Sequence, residues 1–123
     1  MLKALVVDDS KTVRMVIGKL LGGLGYTVVE AADGAVALSR LSEEAPFDLA
    51  MVDWNMPVMT GIELLLAIQG GKAPAPKHIV MVTTETDPTQ IERALKAGAH
   101  EYLMKPFTRE AIAEKLALLE STL

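Results

Sequence analysis

A chain of 123 residues suits one domain and leaves little room for two. Its 12 Lys+Arg against 16 Asp+Glu give a net charge of -4 with no basic run, which excludes the electrostatic footprint of a nucleic-acid binder. Cysteine is absent, so there are no disulfides or thiolate metal sites, and the apolar stretches are too short and interrupted to span a membrane.

The chain enters its first strand at once: Ala4 to Val7 is an apolar run of strand length, and the carboxylates Asp8 and Asp9 follow it. That start leaves no space for a signal peptide, which predicts a cytoplasmic protein. Ser10 is placed to cap a helix whose apolar residues Val13, Val16, Ile17, Leu20, Leu21 and Leu24 recur at helical spacing, ending at Gly22, Gly23 and Gly25. Thr27 to Val29 reads as a short strand. Asp33-Gly34 reads as a turn, and a helix carrying Val36, Leu38 and Leu41 runs to about Glu44, before Pro46.

The third strand runs from Asp48 to Asp53, and a loop from Asn55 to Thr60 follows, bordered by Gly61. A helix with Ile62, Leu65, Leu66 and Ile68 facing inward ends near Gly70-Gly71, and Pro74 and Pro76 keep the next linker out of helix. Ile79 to Val82 is the fourth strand, ending at Thr83. Asp87 before Pro88 predicts a capped helix start, with Gln90 completing a box and Ile91, Ala94 and Leu95 facing inward up to Gly98. The fifth strand runs from Glu101 and ends at Lys105, before Pro106. Thr108 then caps a last helix that buries Ile112, Leu116 and Leu119. Strands that are apolar throughout, alternating with helices, predict a single doubly wound α/β domain around a parallel sheet.

In such a sheet, strand ends on one side gather in a crevice. Asp8, Asp9, Asp53, Thr83 and Lys105 all lie at predicted strand ends. Three carboxylates so placed repel one another unless a cation is present, and Mg²⁺ accepts such hard oxygen ligands. One carboxylate is then free to act as nucleophile toward a phosphoryl group, with Lys105 and Thr83 placed to meet its oxygens. Each residue alone has an ordinary reading: Asp8-Asp9 as a helix start, Asp53 as a turn cap, Lys105 as a solvated strand end, Thr83 as a strand former. Their joint placement on one edge is the specific signal.

These same residues carry a resemblance. The segments Val6-Val7-Asp8-Asp9-Ser10, Asp53-Trp54-Asn55-Met56-Pro57-Val58-Met59-Thr60-Gly61 and Tyr102-Leu103-Met104-Lys105-Pro106-Phe107 are similar to receiver domains of bacterial two-component response regulators, above all the stand-alone chemotaxis regulators of the CheY type. The resemblance implies a flavodoxin-like (βα)5 fold with a five-stranded parallel sheet in the order 2-1-3-4-5, and residues 1–123 as one receiver domain without an output domain. It makes Asp53 the phosphoacceptor. Asp9, Asp53 and the main-chain carbonyl of Asn55 would ligate Mg²⁺, with Asp8 acting largely through water. Lys105 would pair with an acceptor oxygen, and Thr83 would hydrogen-bond the phosphoryl group. Tyr102 would be the switch aromatic that fills space vacated by Thr83. Asn55 and Glu85 would modulate dephosphorylation, and Lys105-Pro106 would carry a cis bond. Thr84 departs from the smaller residue usual there and is placed to hinder donor or water access.

The implied function is a phosphorylation-activated switch in a two-component phosphorelay. It takes phosphate from a histidine kinase and signals to a separate protein, with a flagellar motor component as the expected target. It would act on itself stoichiometrically rather than turn over as an enzyme, as a monomer or weak dimer, without nucleic-acid or membrane partners. Two alternatives stay open: a phosphorelay intermediate that passes phosphate to a histidine phosphotransfer protein, and a metal-dependent phosphohydrolase with an aspartate nucleophile. Against the latter, hydrolases of the haloacid-dehalogenase type carry Asp-x-Asp after their first strand, where this chain has adjacent Asp8-Asp9. A phosphorylation-independent interaction module is disfavoured by the complete acidic set.

Overall fold

Strands β1 (Leu2–Val7), β3 (Leu49–Asp53) and β4 (His78–Thr83) carry apolar residues without polar alternation, and Ala4 to Val7, Leu49 to Val52 and Ile79 to Val82 are all buried. Such strands need cover on both faces. Helices α1 (Lys11–Gly23) and α5 (Arg109–Ser121) cover one side, through Ile17, Leu21, Ile112, Leu116 and Leu119. Helices α2 (Gly34–Glu44), α3 (Gly61–Gln69) and α4 (Pro88–Lys96) cover the other, through Ala37, Leu41, Leu64, Leu65 and Ala94. The remaining strands, β2 (Tyr26–Ala31) and β5 (Glu101–Met104), are the less buried edges. The sheet runs β2-β1-β3-β4-β5 with every pair parallel, the order and the doubly wound class expected. The computed structural model describes residues 2–84 and 88–121, so the expected Asp87 cap and Glu85 lie outside the described residues. Among the described residues, no helix is long and apolar enough to cross a membrane.

Side-chain caps fix where the helices begin. Ser10 accepts from the Val13 N–H at 3.3 Å and Thr108 from the Ala111 N–H at 3.1 Å, as their positions predict. Asp33 proves to be a cap rather than a turn residue, accepting from the Val36 N–H at 2.9 Å. Thr60, the last residue of the expected loop, forms a reciprocal capping box with Glu63. Its two hydrogen bonds hold the Glu63 carboxyl below the usual carboxylate range.

The apolar face of α3 differs from the expected one. Leu66 is half exposed, and Gly61, Leu64, Leu65 and Ile68 form the buried stripe together with Ile62. An apolar run this dense fits two helical stripes. The one through Leu66 would bring polar Gln69 inward, and the observed one avoids that. Leu95 of α4 and Val16 of α1 also turn outward, whereas Ala94 and Ile17 face the sheet. Both Lys105-Pro106 and, without any sequence expectation, Ala45-Pro46 are cis.

Candidate functional site

The carboxyl ends of β1, β3, β4 and β5 are brought level by the pairing register: Val7 lies beside Val52, Asp53 beside Val82, and Thr83 beside Met104. Residues that leave these strands therefore emerge on one edge. Asp8 and Asp53 are buried at 1 % and 7 % exposure, while Asp9 faces solvent. One carboxylate oxygen from each of Asp8, Asp9 and Asp53 falls within 4.8 Å of the others. Lys105 Nζ bridges two of the three, donating to Asp8 Oδ2 at 3.1 Å and to Asp53 Oδ1 at 3.0 Å. The other oxygen of Asp8 accepts the Ser10 N–H at 2.9 Å.

Burial pushes the Asp53 carboxyl up in pKa, and the neighbouring Asp8 and Asp9 add to that, against the opposing pull of Lys105. Burial alone would lower the Lys105 ammonium, but its hydrogen bonds and attraction to Asp53 and Asp8 outweigh this and raise it. One ammonium thus faces three carboxylates. An excess of negative charge remains, and every available side-chain donor in the cluster is a hard oxygen. This is a donor set that suits Mg²⁺, which binds through one or two carboxylates and keeps several waters.

The β3–α3 loop is held close against the site. Trp54 N–H donates to the Val82 carbonyl and Gly61 N–H to the Trp54 carbonyl, each at 3.0 Å. A Cβ at Gly61 would lie 2.5 Å from the Asp53 carbonyl oxygen, so only glycine fits this close approach. Asn55 is exposed on this loop. Val58 is held at φ 68°, in the left-handed region that disfavours branched side chains, with its side chain in solvent.

Thr83 is buried at the end of β4, and its carbonyl accepts the Lys105 N–H at 2.8 Å. Exposed Thr84 lines, with Val13, Val16, Lys105 and Phe107, an open apolar groove of about 360 Å³ beside the acids. Tyr102 is not part of the acidic cluster. It pairs in register with Met81, two residues before Thr83, and packs half-buried against the core of that face. The Lys115 ammonium lies 4.7 Å from the centre of its ring and also contacts Glu101 at 3.2 Å.

The sequence did not single out Arg14. Its Nη1 donates to the Asp8 carbonyl at 2.6 Å and its Nε to Glu30 Oε1 at 3.0 Å. The one available signal was a basic residue in the first turns of the helix that follows the acid pair.

The family model for the response regulator receiver domain matches residues 4–117. Chemotaxis protein CheY of Pseudomonas aeruginosa is 43% identical over 116 residues, covering 94% of this chain and 93% of that protein. Chemotaxis protein CheY1 of Helicobacter pylori is 39% identical over 122 residues, covering 98% of each. Among solved structures, chemotaxis protein CheY4 of Vibrio cholerae superposes with a TM-score of 0.87 at 38% identity, covering 97% of this chain and 98% of the other.

Proposed function

The chain belongs to the response regulator receiver domain family, of the CheY chemotaxis type, and from that premise we propose that it is a signalling switch thrown by phosphorylation of Asp53 with Mg²⁺ bound. The supporting observation is the acidic cluster itself: three carboxylates within 4.8 Å, two of them bridged by Lys105. In this reading Asp9 and Asp53, with the Asn55 main-chain carbonyl, hold Mg²⁺ and Asp8 acts largely through water. When bound, the ion neutralises charge on the transferring phosphoryl oxygens.

The residues divide the rest of the work. An Asp53 carboxylate oxygen attacks the phosphorus of a phosphohistidine on the donor kinase. The new O–P bond forms as the N–P bond breaks, and the imidazole leaves with the electron pair. Lys105, already 3.0 Å from Asp53 Oδ1, offsets charge on an acceptor oxygen. Thr83, at the end of the adjacent strand, offers its hydroxyl to another. The raised pKa of Asp53 marks a carboxylate whose negative charge is poorly compensated, which favours the cation and leaves the oxygen basic. Later attack of water on phosphorus releases inorganic phosphate and restores the carboxylate; exposed Asn55 is proposed to influence that water, and the family resemblance proposes the same role for Glu85.

Such receivers are switches rather than turnover enzymes, so the output is a contact with another protein. Thr83 and Tyr102 are the proposed coupling pair: strand alternation and register put both on the α4 side of the sheet. The relatives' chemotaxis names support a histidine kinase as donor and a flagellar motor component as receiver of the signal.

The test is intact-mass analysis after incubation with acetyl phosphate and Mg²⁺. One labile phosphoryl group is expected on the native chain and none on Asp53→Ala. Equal modification of both, or of neither, would refute the proposal.

A further inference from the structure

The three carboxylates of the cluster are not held alike. Asp8 is fixed twice, by Lys105 and by the Ser10 N–H, and Asp53 is fixed by Lys105. The Asp9 carboxylate is exposed and has no hydrogen bond or ion pair among the described residues. Its position therefore depends on the backbone that carries it. On the amino side, the Asp8 N–H donates to the Ala31 carbonyl at 3.1 Å. On the carboxyl side, the carbonyl of the Asp8–Asp9 peptide accepts from Arg14 Nη1 at 2.6 Å. The Arg14 side chain is only 14 % exposed, and its Nε is turned toward Glu30 Oε1 at 3.0 Å, near the end of β2. A guanidinium with two donors in a fixed fork suits this bridging task.

We propose that Arg14, braced by Glu30, is the positioning residue for the Asp9 carboxylate and thereby sets the affinity of the cluster for Mg²⁺. The inference rests on reading the cluster as a cation and phosphoryl site. Two roles for Arg14 are separable by sign. As a bare positive charge near the acids, it weakens cation binding, and its removal strengthens binding. As a clamp on the Asp8–Asp9 peptide, its removal lets the unpartnered carboxylate drift and weakens binding. Loss of a group that orients a ligand costs about 10-fold or more in metal affinity.

Calorimetric titration of the full chain with MgCl₂ reads this directly. Arg14→Met, which keeps an apolar stem without the guanidinium, is expected to bind Mg²⁺ about tenfold more weakly. Glu30→Ala, which leaves Arg14 unbraced, is expected to weaken binding as well. Glu30→Gln removes the same charge but keeps an oxygen acceptor, and it is expected to restore native affinity. A pure charge effect would make the two Glu30 variants equal. The Glu30 pair carries the test if Arg14→Met does not fold. A native chain that binds no Mg²⁺ would overturn the proposed function, and this inference with it. A native chain that binds, with Arg14→Met binding as tightly or more tightly, or with the two Glu30 variants indistinguishable, would overturn the positioning role alone.

Discussion

Lys105→Met separates the two ways in which the acidic cluster can be neutralised. Lys105 contacts Asp8 at 3.1 Å and Asp53 at 3.0 Å. At an effective dielectric of about 20, each contact represents roughly 5 kcal/mol of gross attraction, most of which offsets the cost of drying the charges. Removing one partner of a buried pair costs about 3–5 kcal/mol, because the other charge stays buried. The Lys105 side chain is 24 % exposed, so water relieves part of this, and about 2–3 kcal/mol is the loss expected in chelator at neutral pH. The pH dependence has a definite sign. Asp53 has a raised pKa in the folded state, so its contribution to stability is fully present below the unfolded carboxylate value. That contribution is lost as pH rises through the folded value. Without Lys105, the group that pulls Asp53 down is gone and its folded pKa climbs further. The deficit of the variant should thus shrink on acidification. It should shrink again in strong alkali, where the raised Lys105 of the native chain finally loses its proton. Mg²⁺ at a hundredfold excess over Kd stabilises a folded state by about 2.7 kcal/mol. The variant should gain more than the native chain, because no ammonium competes for the same oxygens. Urea unfolding followed by Trp54 emission, across pH and in chelator or MgCl₂, measures all of this. A deficit that grows toward acid pH, or that is the same with and without Mg²⁺, would refute the reasoning.

Three further outcomes follow from the same edge. Asp53→Asn removes the carboxyl whose raised pKa costs stability at neutral pH, so in chelator its urea midpoint should rise above the native one; a fall would contradict the direction of the shift. Gly61→Ala forces a Cβ to 2.5 Å from the Asp53 carbonyl oxygen and 2.9 Å from Met81 Cε; a loss of about 1–3 kcal/mol is expected in denaturant titration, and a neutral result would mean that the loop yields. Val58→Asn relieves a branched residue at φ 68° whose side chain is in solvent; a gain of about 1 kcal/mol is expected, with thermal unfolding as the check and any loss counting against strain.

The fold was legible in the sequence because strands buried on both faces cannot hide their composition. Leu5, Met51 and Met81 belong to runs with no polar alternation, and each run is followed by a helical stripe. Helix faces were less legible where apolar residues were too abundant to choose between stripes, as Leu66 against Leu64 shows. The position of Asp8, Asp9, Asp53 and Lys105 on one edge followed from topology, since each lies at or just beyond a strand end. Arg14 was not legible. Its bond runs to a main-chain carbonyl, and no side-chain pattern in a sequence records which carbonyl a guanidinium will find. Gly61 was visible only as a turn residue, because the reason for it is a backbone oxygen brought close by folding.

Among the described residues, the buried polar or charged side chains are Asp8, Asp53 and Thr83, and all three lie at this one edge. The left-handed Val58 and the crowded Gly61 lie on the loop that leaves the same edge. Among the described residues, the other buried side chains of the sheet are all Val, Leu, Ile, Met or Ala. A chain under selection for stability alone would lose little by placing apolar groups at positions 8, 53 and 105 together, because replacing a whole buried ionic cluster is often neutral or stabilising. The unfavourable features instead coincide with the one place where a cation and a phosphoryl group would reverse their sign. Phosphorylation of Asp53 would add about -1.5 to -2 charges beside Lys105, and Lys105 is tied by its N–H to the Thr83 carbonyl. In the proposed switch, a main-chain shift at Lys105 would be felt on β4 and β5 together, and β5 carries Tyr102. In that proposal the unmodified site is poorly compensated, since burial and the neighbouring acids raise the Asp53 pKa against the pull of Lys105.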